Sequence, residues 1–148
     1  VIYFILSAGL FFLSLAERDL ILLTFLILSI FDSFSQITGQ LFGKTKIMPD
    51  ISPNKTLGGV VGGTIISLVS AFLLKSLFFG TIPELFLFAF GTILFAFIGD
   101  ILASFYKRKF QVKDYSNWIP GHGGFLDRFD SLIAGGAWAA LAISFLGI

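Results

Sequence analysis

The chain has 148 residues, of which 56% are hydrophobic and 13% charged, and its mean hydropathy is +0.95. Soluble domains carry about 25% charged residues, so this composition excludes an ordinary soluble domain and predicts a membrane protein. The net charge of +1 gives no reason to expect a nucleic acid as partner, and the absence of cysteine excludes disulfides, thiolate zinc sites and cysteine nucleophiles.

Five apolar stretches follow one another along the chain, at residues 1–15, 20–31, 59–79, 85–105 and 129–148. The last three approach the ~20 residues that cross the hydrocarbon core of a bilayer. Backbone groups in lipid must be hydrogen-bonded within their own segment, and no alternating strand pattern is present, so we expect helices. The predicted fold is therefore all-α, a polytopic membrane helix bundle with about five transmembrane helices.

The second stretch reaches membrane-spanning length only if it continues towards Gly43 through a polar segment at residues 32–38. An ionised carboxylate such as Asp32 is costly in lipid unless a cation, a metal or a water-lined pocket is beside it. We therefore expect this half of the helix to face protein or a water-filled cavity. Lining of a site and buried structural polarity explain Asp32 and Gln36 equally well.

The basic residues predict the orientation. Eight of the ten lie in the two loops that follow the second and the fourth stretches: Lys44, Lys46, Lys55, Lys107, Arg108, Lys109, Lys113 and Arg128. An up-and-down order of five helices puts both loops on one side, which the positive-inside rule identifies as cytosolic. The alternative is that these residues serve only topology and attraction to anionic headgroups.

Most of the polar chemistry lies between the fourth and fifth stretches, in residues 104–130, SFYKRKFQVKDYSNWIPGHGGFLDRFD. Cationic and acidic side chains stand there beside a glycine-rich turn at residues 120–124. Phosphates and a divalent cation would both find partners in such a segment. The amides of the turn could also cradle phosphate oxygens just before a helix begins.

Two groups of residues carry a family resemblance. The first is Ser104, Lys107-Arg108, Lys113-Asp114, Pro120-Gly121-His122-Gly123-Gly124, Asp127-Arg128 and Asp130, and the second is Asp32, residues 39–44 and Ser52-Pro53-Asn54-Lys55-Thr56. In order and spacing both resemble the phosphatidate cytidylyltransferase (CDP-diacylglycerol synthase) family, whose upstream region contains Ser-Pro-x-Lys-Thr. The chain departs from the family at Leu57-Gly58, where Trp-Glu is usual, so the role of that glutamate does not carry over.

The resemblance implies that CTP and phosphatidate are converted into CDP-diacylglycerol and pyrophosphate, for phospholipid synthesis, by an integral membrane enzyme with a cytosolic active site. Family members are generally longer at the amino end. Residues 1–148 are therefore expected to form a single membrane-embedded catalytic domain, truncated at that end. Association with a second copy of the chain stays open.

Two alternatives to this function are kept. A CTP-dependent polyprenol or lipid kinase would share the helices, the phosphate-binding loops and the metal, but it would transfer the γ-phosphoryl group. An ion transporter would also carry intramembrane acids such as Asp32 and Asp100. A transporter has no need of the basic, glycine-rich loop.

A metal centre is predicted at the helix ends. Asp127 and Asp130 are three positions apart at the start of the last helix, so they share a face and could share a cation. Asp100, at the expected membrane depth, could join them. Oxygen ligands favour Mg²⁺, and analogy with the family makes these three acids its ligands, with a monovalent cation as a further candidate. The alternatives are helix capping for Asp127 or Asp130 and a structural ion pair for Asp100.

The remaining candidates would bind phosphate groups. Lys107 and Arg128 are predicted to act with Asp127 in catalysis. The substrate-binding candidates are Lys44, Ser52, Lys55, Thr56, Lys113, His122, Gly123 and Gly124. His122 is assigned to hydrogen bonding or loop structure, because the attacking phosphate is already an anion and needs no strong base. The glycines at 58, 59, 62 and 63 are predicted to form a small-residue face for close helix packing.

Overall fold

The computed structural model describes residues 18–75, 81–110 and 125–146, and within the last range side chains from Leu132 onward. This part of the chain contains four helices and a two-stranded sheet. In chain order the elements are α1 (Arg18–Phe42), β1 (Lys46–Met48), β2 (Ser52–Thr56), α2 (Leu57–Leu73), α3 (Ile82–Lys109) and α4 (Phe125–Leu146).

Four of the five predicted apolar stretches are helical, and the stretch at residues 1–15 lies outside the described residues. The continuation of the second stretch is confirmed, since α1 runs to Phe42 and includes Asp32 and Gln36. Helix α3 extends past Phe105 to Lys109, where three basic residues in its last turn interact favourably with the helix dipole.

The expectation of helices alone missed one element. Strands β1 and β2 form an antiparallel hairpin in which Lys46 pairs with Thr56 and Met48 with Ser52. The strands have three and five residues, and their side chains are exposed or half-buried. Such short strands carry no apolar alternation that would have revealed them in the sequence.

The exterior of the helices is apolar. Helices α1 and α3 are long and apolar enough to cross a membrane, whereas α2 and residues 132–146 of α4 are apolar but shorter. Only 33% of the apolar window of α1 and 44% of that of α3 are buried, which is unlike the core helix of a soluble protein. Large side chains such as Ile65, Phe90 and Leu102 are exposed. Hydrocarbon is the solvent that such a surface fits, so the chain is a helical membrane protein.

Side chains of all four helices meet in a core at the end of the bundle away from the hairpin. Its members are Leu20, Leu23, Ile27 and Phe31 of α1, Ala71 of α2, Leu85, Phe88, Ala89 and Ile93 of α3, and Ala139, Ala140 and Ala142 of α4. The alanines of α4 allow its backbone to approach α3 closely. Beside them Trp138 stacks on Phe95 with ring centroids 4.9 Å apart, and its indole lies on Gly91, where any Cβ atom would collide with it.

The predicted small-residue face is confirmed, and its partner is the polar half of α1. A Cβ atom at Gly59 would lie 2.5 Å from the carbonyl oxygen of Ser35. Thr38 donates a hydrogen bond to Phe34 O at 2.7 Å and also reaches Gly59 O at 3.2 Å. Thr56 caps α2 by accepting a hydrogen bond from Gly59 N at 3.2 Å. These contacts fix the polar half of α1 beside β2.

We predict that Gly59→Val separates α1 from α2. The added carbons meet a backbone oxygen that cannot move aside, so overpacking should cost ~1–3 kcal/mol of unfolding free energy, more than valine gains over glycine in helix propensity. Thermal unfolding in detergent measures the loss. The control is Val61→Phe, which adds more atoms at a position that is 49% exposed. Equal stability of the two variants would contradict this packing.

Candidate functional site

The site is built around an ion pair between two distant segments. The ammonium group of Lys55, in β2, pairs with Oδ2 of Asp100, in the last third of α3. The Lys55 side chain is 20% exposed and that of Asp100 32%, but the nitrogen atom itself is buried. It also lies 4.9 Å from the ring centroid of Phe97, which attracts the cation through its π face. The pair and the ring hold the ammonium group at one point.

A cavity of about 280 Å³ adjoins this ion pair, between α1, β2, α2 and α3. Its lining residues are Phe31, Asp32, Ser35, Gln36, Ser52, Asn54, Lys55, Thr56, Val60, Phe97 and Asp100. Apart from Lys55, each polar residue in this set offers a carboxylate, hydroxyl or amide oxygen. The helices and β2 thus form an open cleft that brings polar side chains together beside apolar ones.

Asp32 and Asp100 line this same cavity from different helices. The structure therefore favours site lining over buried structural polarity for Asp32 and Gln36, both of which are exposed towards the cavity side of α1. The expectation that the polar half of α1 faces protein or a cavity holds for Asp32, Ser35, Gln36 and Thr38, whereas Ser33 is exposed and lines no described cavity. The structural ion pair considered for Asp100 is present, and its partner is a residue of the Ser-Pro-x-Lys-Thr segment.

Four predicted site residues come together here: Ser52, Lys55, Thr56 and Asp100. The hydroxyl group of Thr56 is engaged in capping α2, so its first role is structural. Lys44 lies outside the cavity, exposed between α1 and β1. Lys107 lies about two turns beyond Asp100 on α3, half-buried and also outside the cavity lining.

The other predicted site residues lie partly or wholly outside the described residues. Lys113, His122, Gly123 and Gly124 lie outside the described residues. Asp127, Arg128 and Asp130 lie in the first two turns of α4, as predicted from their position, and their side chains are outside the description. Their roles therefore stay predictions.

The donor chemistry of the cavity fits a hard cation. Two carboxylates with hydroxyl and amide oxygens form an oxygen-only set, which is the kind that Mg²⁺ prefers. Within the described residues no three acids or histidines converge on one point. Asp100 and Asp32 are the carboxylates among the described lining residues, and they would need substrate oxygens, water or further acids to complete a coordination shell.

Several residues that form or support the site were not identified as site residues from the sequence. Phe97 precedes Asp100 by about one turn on α3, and Asn54 occupies the variable position of Ser-Pro-x-Lys-Thr. Helical spacing from Asp100 could have pointed to Phe97. The sequence offers Arg108 as part of the motif and as one of the basic residues that predict orientation; in the structure its Nε also donates a hydrogen bond to Ile51 O at 3.4 Å and so ties the end of α3 to the hairpin.

Comparison with known proteins agrees with the motif. The cytidylyltransferase family profile matches residues 1–146. The chain belongs to this family. Among curated relatives it is 41% identical over 122 residues to the phosphatidate cytidylyltransferase of Rickettsia bellii (strain RML369-C), covering 77% of this chain and 53% of the relative.

Two further bacterial relatives carry the same name. Identity is 43% over 104 residues with the protein of Bacillus subtilis (strain 168), covering 69% of this chain and 39% of the relative. It is 40% over 121 residues with that of Haemophilus influenzae (strain ATCC 51907 / DSM 11121 / KW20 / Rd), covering 78% and 42%. The chain spans about half the length of the curated relatives it matches, and the resemblance seen in its motifs is confirmed.

We predict that Lys55 and Asp100 are energetically coupled. Lys55→Met and Asp100→Asn should each lower the unfolding free energy by ~1–3 kcal/mol, because each leaves a half-buried partner without its counter-charge. The double variant should lose less than the sum, with a coupling of about 2 kcal/mol in a double-mutant cycle. Thermal or denaturant unfolding in detergent provides the values.

The control for this cycle is Lys46→Met, which removes a lysine that is exposed on the neighbouring strand. It should change stability by less than ~0.5 kcal/mol and show no coupling to Asp100→Asn. Additive losses in the Lys55 and Asp100 cycle would mean that the two groups do not interact in the folded protein.

Proposed function

We propose that this chain carries the catalytic site of an enzyme that transfers the cytidylyl group of CTP to phosphatidate, giving CDP-diacylglycerol and pyrophosphate. The observation that carries the proposal is a cavity in an apolar helix bundle that is lined by the ion pair of Lys55 with Asp100 and by a second carboxylate, that of Asp32. Membership of the cytidylyltransferase family and the name shared by the bacterial relatives support it.

The reaction makes modest chemical demands on the protein. An oxygen of the phosphatidate phosphate attacks the α-phosphorus of CTP, a new P–O bond forms in line, and the bond to the β-phosphate breaks with release of pyrophosphate. The attacking oxygen is already anionic, so no strong general base is needed. Positioning and neutralisation of charge account for most catalysis of this type. A polar cavity with fixed charges supplies both.

Lys55 is the described residue best placed to act on phosphate. Its side chain lines the cavity, and its ammonium group is buried between Asp100 and the face of Phe97, so it would have to leave Asp100 to contact a phosphate. Ser52 lines the same wall and can donate a hydrogen bond from its hydroxyl group. A phosphate that enters the cavity would find an ammonium and a hydroxyl donor on one short strand.

Other roles in the proposal come from the motif. Asp100, Asp127 and Asp130 would hold Mg²⁺, with a monovalent cation as a further candidate, and the metal would neutralise charge on the triphosphate. Lys107 and Arg128 would contact phosphate oxygens, Arg128 with a bidentate fork. Lys44, Lys113, His122, Gly123 and Gly124 would complete the phosphate-binding surface.

The two substrates would reach the site by different routes. Phosphatidate is confined to the bilayer and would approach along the apolar outer surface of the helices. CTP is soluble and would approach from water at the hairpin end. We propose that this end faces the cytosol and that the whole segment spans the membrane five times. The hydrogen bond from Arg108 to Ile51 supports a common side for the two basic loops.

The function is tested by incubating the purified protein in detergent with CTP, Mg²⁺ and phosphatidate. The expected products are CDP-diacylglycerol and pyrophosphate in equal amounts. CTP labelled at the α-phosphorus should pass its label to the lipid, whereas label at the γ-phosphorus should leave with pyrophosphate. Transfer of the γ-label to a lipid would instead identify a lipid kinase, and the absence of any CTP turnover would count against both enzymes.

A pair of variants separates site chemistry from folding in this assay. Asp127→Asn should abolish turnover, by at least ~100-fold, with an unchanged unfolding temperature, because it removes a charge that the proposal assigns to the metal. Lys46→Ala, on the exposed face of β1, should retain most of the activity. Near-normal turnover by Asp127→Asn would remove that residue from the metal centre.

We predict that the hairpin and the start of α3 lie on opposite sides of the membrane. The chain contains no cysteine, so Lys46→Cys and Thr81→Cys each introduce one thiol, and both positions are exposed. In intact cells an impermeant maleimide should label position 81, and position 46 only after permeabilisation. The reverse pattern would place the site on the outer side, and labelling of both in intact cells would refute a membrane-spanning α3.

A further inference from the structure

A second polar cavity, of about 270 Å³, adjoins the first. It is lined by Gln36, Gly39, Gln40 and Asn54, and two of these, Gln36 and Asn54, also line the cavity that contains Lys55 and Asp100. None of the four described lining residues is charged. The two cavities are therefore neighbours that share two lining residues, one cavity with charged side chains and the other with neutral amides.

The amide-lined cavity has a defined geometry. Gln36 and Gln40 are four residues apart on α1, so their side chains lie next to each other on one face of the helix. Asn54 approaches them from β2, across the cleft. Each amide offers one carbonyl oxygen that accepts and one NH₂ group that donates. Three residues with amide side chains thus line one cavity, which a planar molecule with alternating donors and acceptors could occupy.

Neutral amides bind some chemical groups of CTP and phosphatidate better than others. A phosphate group binds far better to cations and charge-assisted donors, which the first cavity supplies. Acyl chains offer no hydrogen bonds to these amides and fit the apolar exterior instead. A nucleobase is uncharged, planar and edged with hydrogen-bonding groups. Of all these parts, the heterocycle is the one whose chemistry matches the amide-lined cavity.

We propose that Gln36, Gln40 and Asn54 bind the cytosine ring of CTP and determine the choice of nucleotide. The inference rests on the proposed function and adds the specificity-determining residues to it. With the ring between these amides, the triphosphate extends past the shared residues Gln36 and Asn54 towards Lys55. Gln40, which lines only the amide-lined cavity, is the residue most specific to the base.

Discrimination between cytosine and uracil follows from their edges. Cytosine presents a donor at N4 and an acceptor at N3, whereas uracil presents an acceptor at O4 and a donor at N3. An amide held in one orientation by a neighbouring amide accepts from N4 and donates to N3, and it mismatches both groups of uracil. A matched bidentate pair discriminates by roughly 10-fold or more, which is the size of effect that loss of one amide should remove.

The decisive measurement is nucleotide preference. Gln40→Leu and Asn54→Ala should each raise the KM for CTP about 10-fold and bring the ratio of kcat/KM for CTP over UTP towards one, while the KM for phosphatidate stays unchanged. Ser33→Ala is the control, because Ser33 is exposed on α1 and lines neither cavity. Unchanged preference for CTP in both amide variants would overturn the proposal.

A labelling experiment covers the case in which these variants fold poorly. Gln40→Cys introduces a single thiol into a chain that has none. CTP and cytidine should slow its reaction with a maleimide at least ~5-fold, whereas inorganic tripolyphosphate, which fills only the cavity with charged side chains, should not. Equal labelling with and without CTP would overturn the proposal, as would equal protection by tripolyphosphate.

The two experiments separate this inference from the function on which it rests. If the wild-type protein makes CDP-diacylglycerol but the Gln40 and Asn54 variants keep full preference for CTP, the inference alone fails. If it makes no CDP-diacylglycerol, while cytidine and CTP still protect position 40, the proposed reaction fails and the nucleobase site stands. Absence of both turnover and protection removes both.

Discussion

The ion pair between Lys55 and Asp100 is the interaction on which the arrangement of this site depends. Charges inside an apolar bundle are tolerated only when they are paired or hydrated, because the desolvation of either ion alone costs several kcal/mol. The pair joins β2 to α3, and the hydrogen bond from Arg108 to Ile51 O joins the same hairpin to the end of that helix. Together these contacts hold the hairpin against α3 beside the cavity.

Close helix packing supplies the other wall of the cavity. The glycines at the start of α2 remove the side chains that would hold α1 away, and hydroxyl groups of Thr38 and Thr56 take up the backbone groups at this contact. Asp32 and the amides of Gln36 and Gln40 consequently lie on the side of α1 that carries the two cavities, beside β2. Small residues thus let a polar helix segment pack close to its neighbour and line a cavity.

The sequence was sufficient for the described helices and pointed to several residues that line the first cavity, but not to their contacts. Apolar length gives α3 directly, α1 follows only when the polar segment after residue 31 is counted with its apolar half, and the glycine spacing gives the face of α2 that packs. The hairpin has too few residues to show a pattern. The contact between Lys55 and Asp100 depends on how β2 and α3 are placed in space, and local sequence patterns do not predict such a contact. Motif reasoning assigned these two residues to phosphate and metal separately.

The ion pair connects the phosphate-binding role of Lys55 with the metal-binding role of Asp100, because each group changes the charge that the other one meets. The described residues that line the first cavity include two carboxylates, of Asp32 and Asp100, and one ammonium group, of Lys55, so their formal charges sum to −1. A triphosphate is itself strongly anionic and would be repelled by such a lining. In the proposed reaction, added positive charge would offset that repulsion. A divalent cation at Asp100 would provide it and would at the same time compete with Lys55 for the carboxylate, leaving the ammonium group available to phosphate.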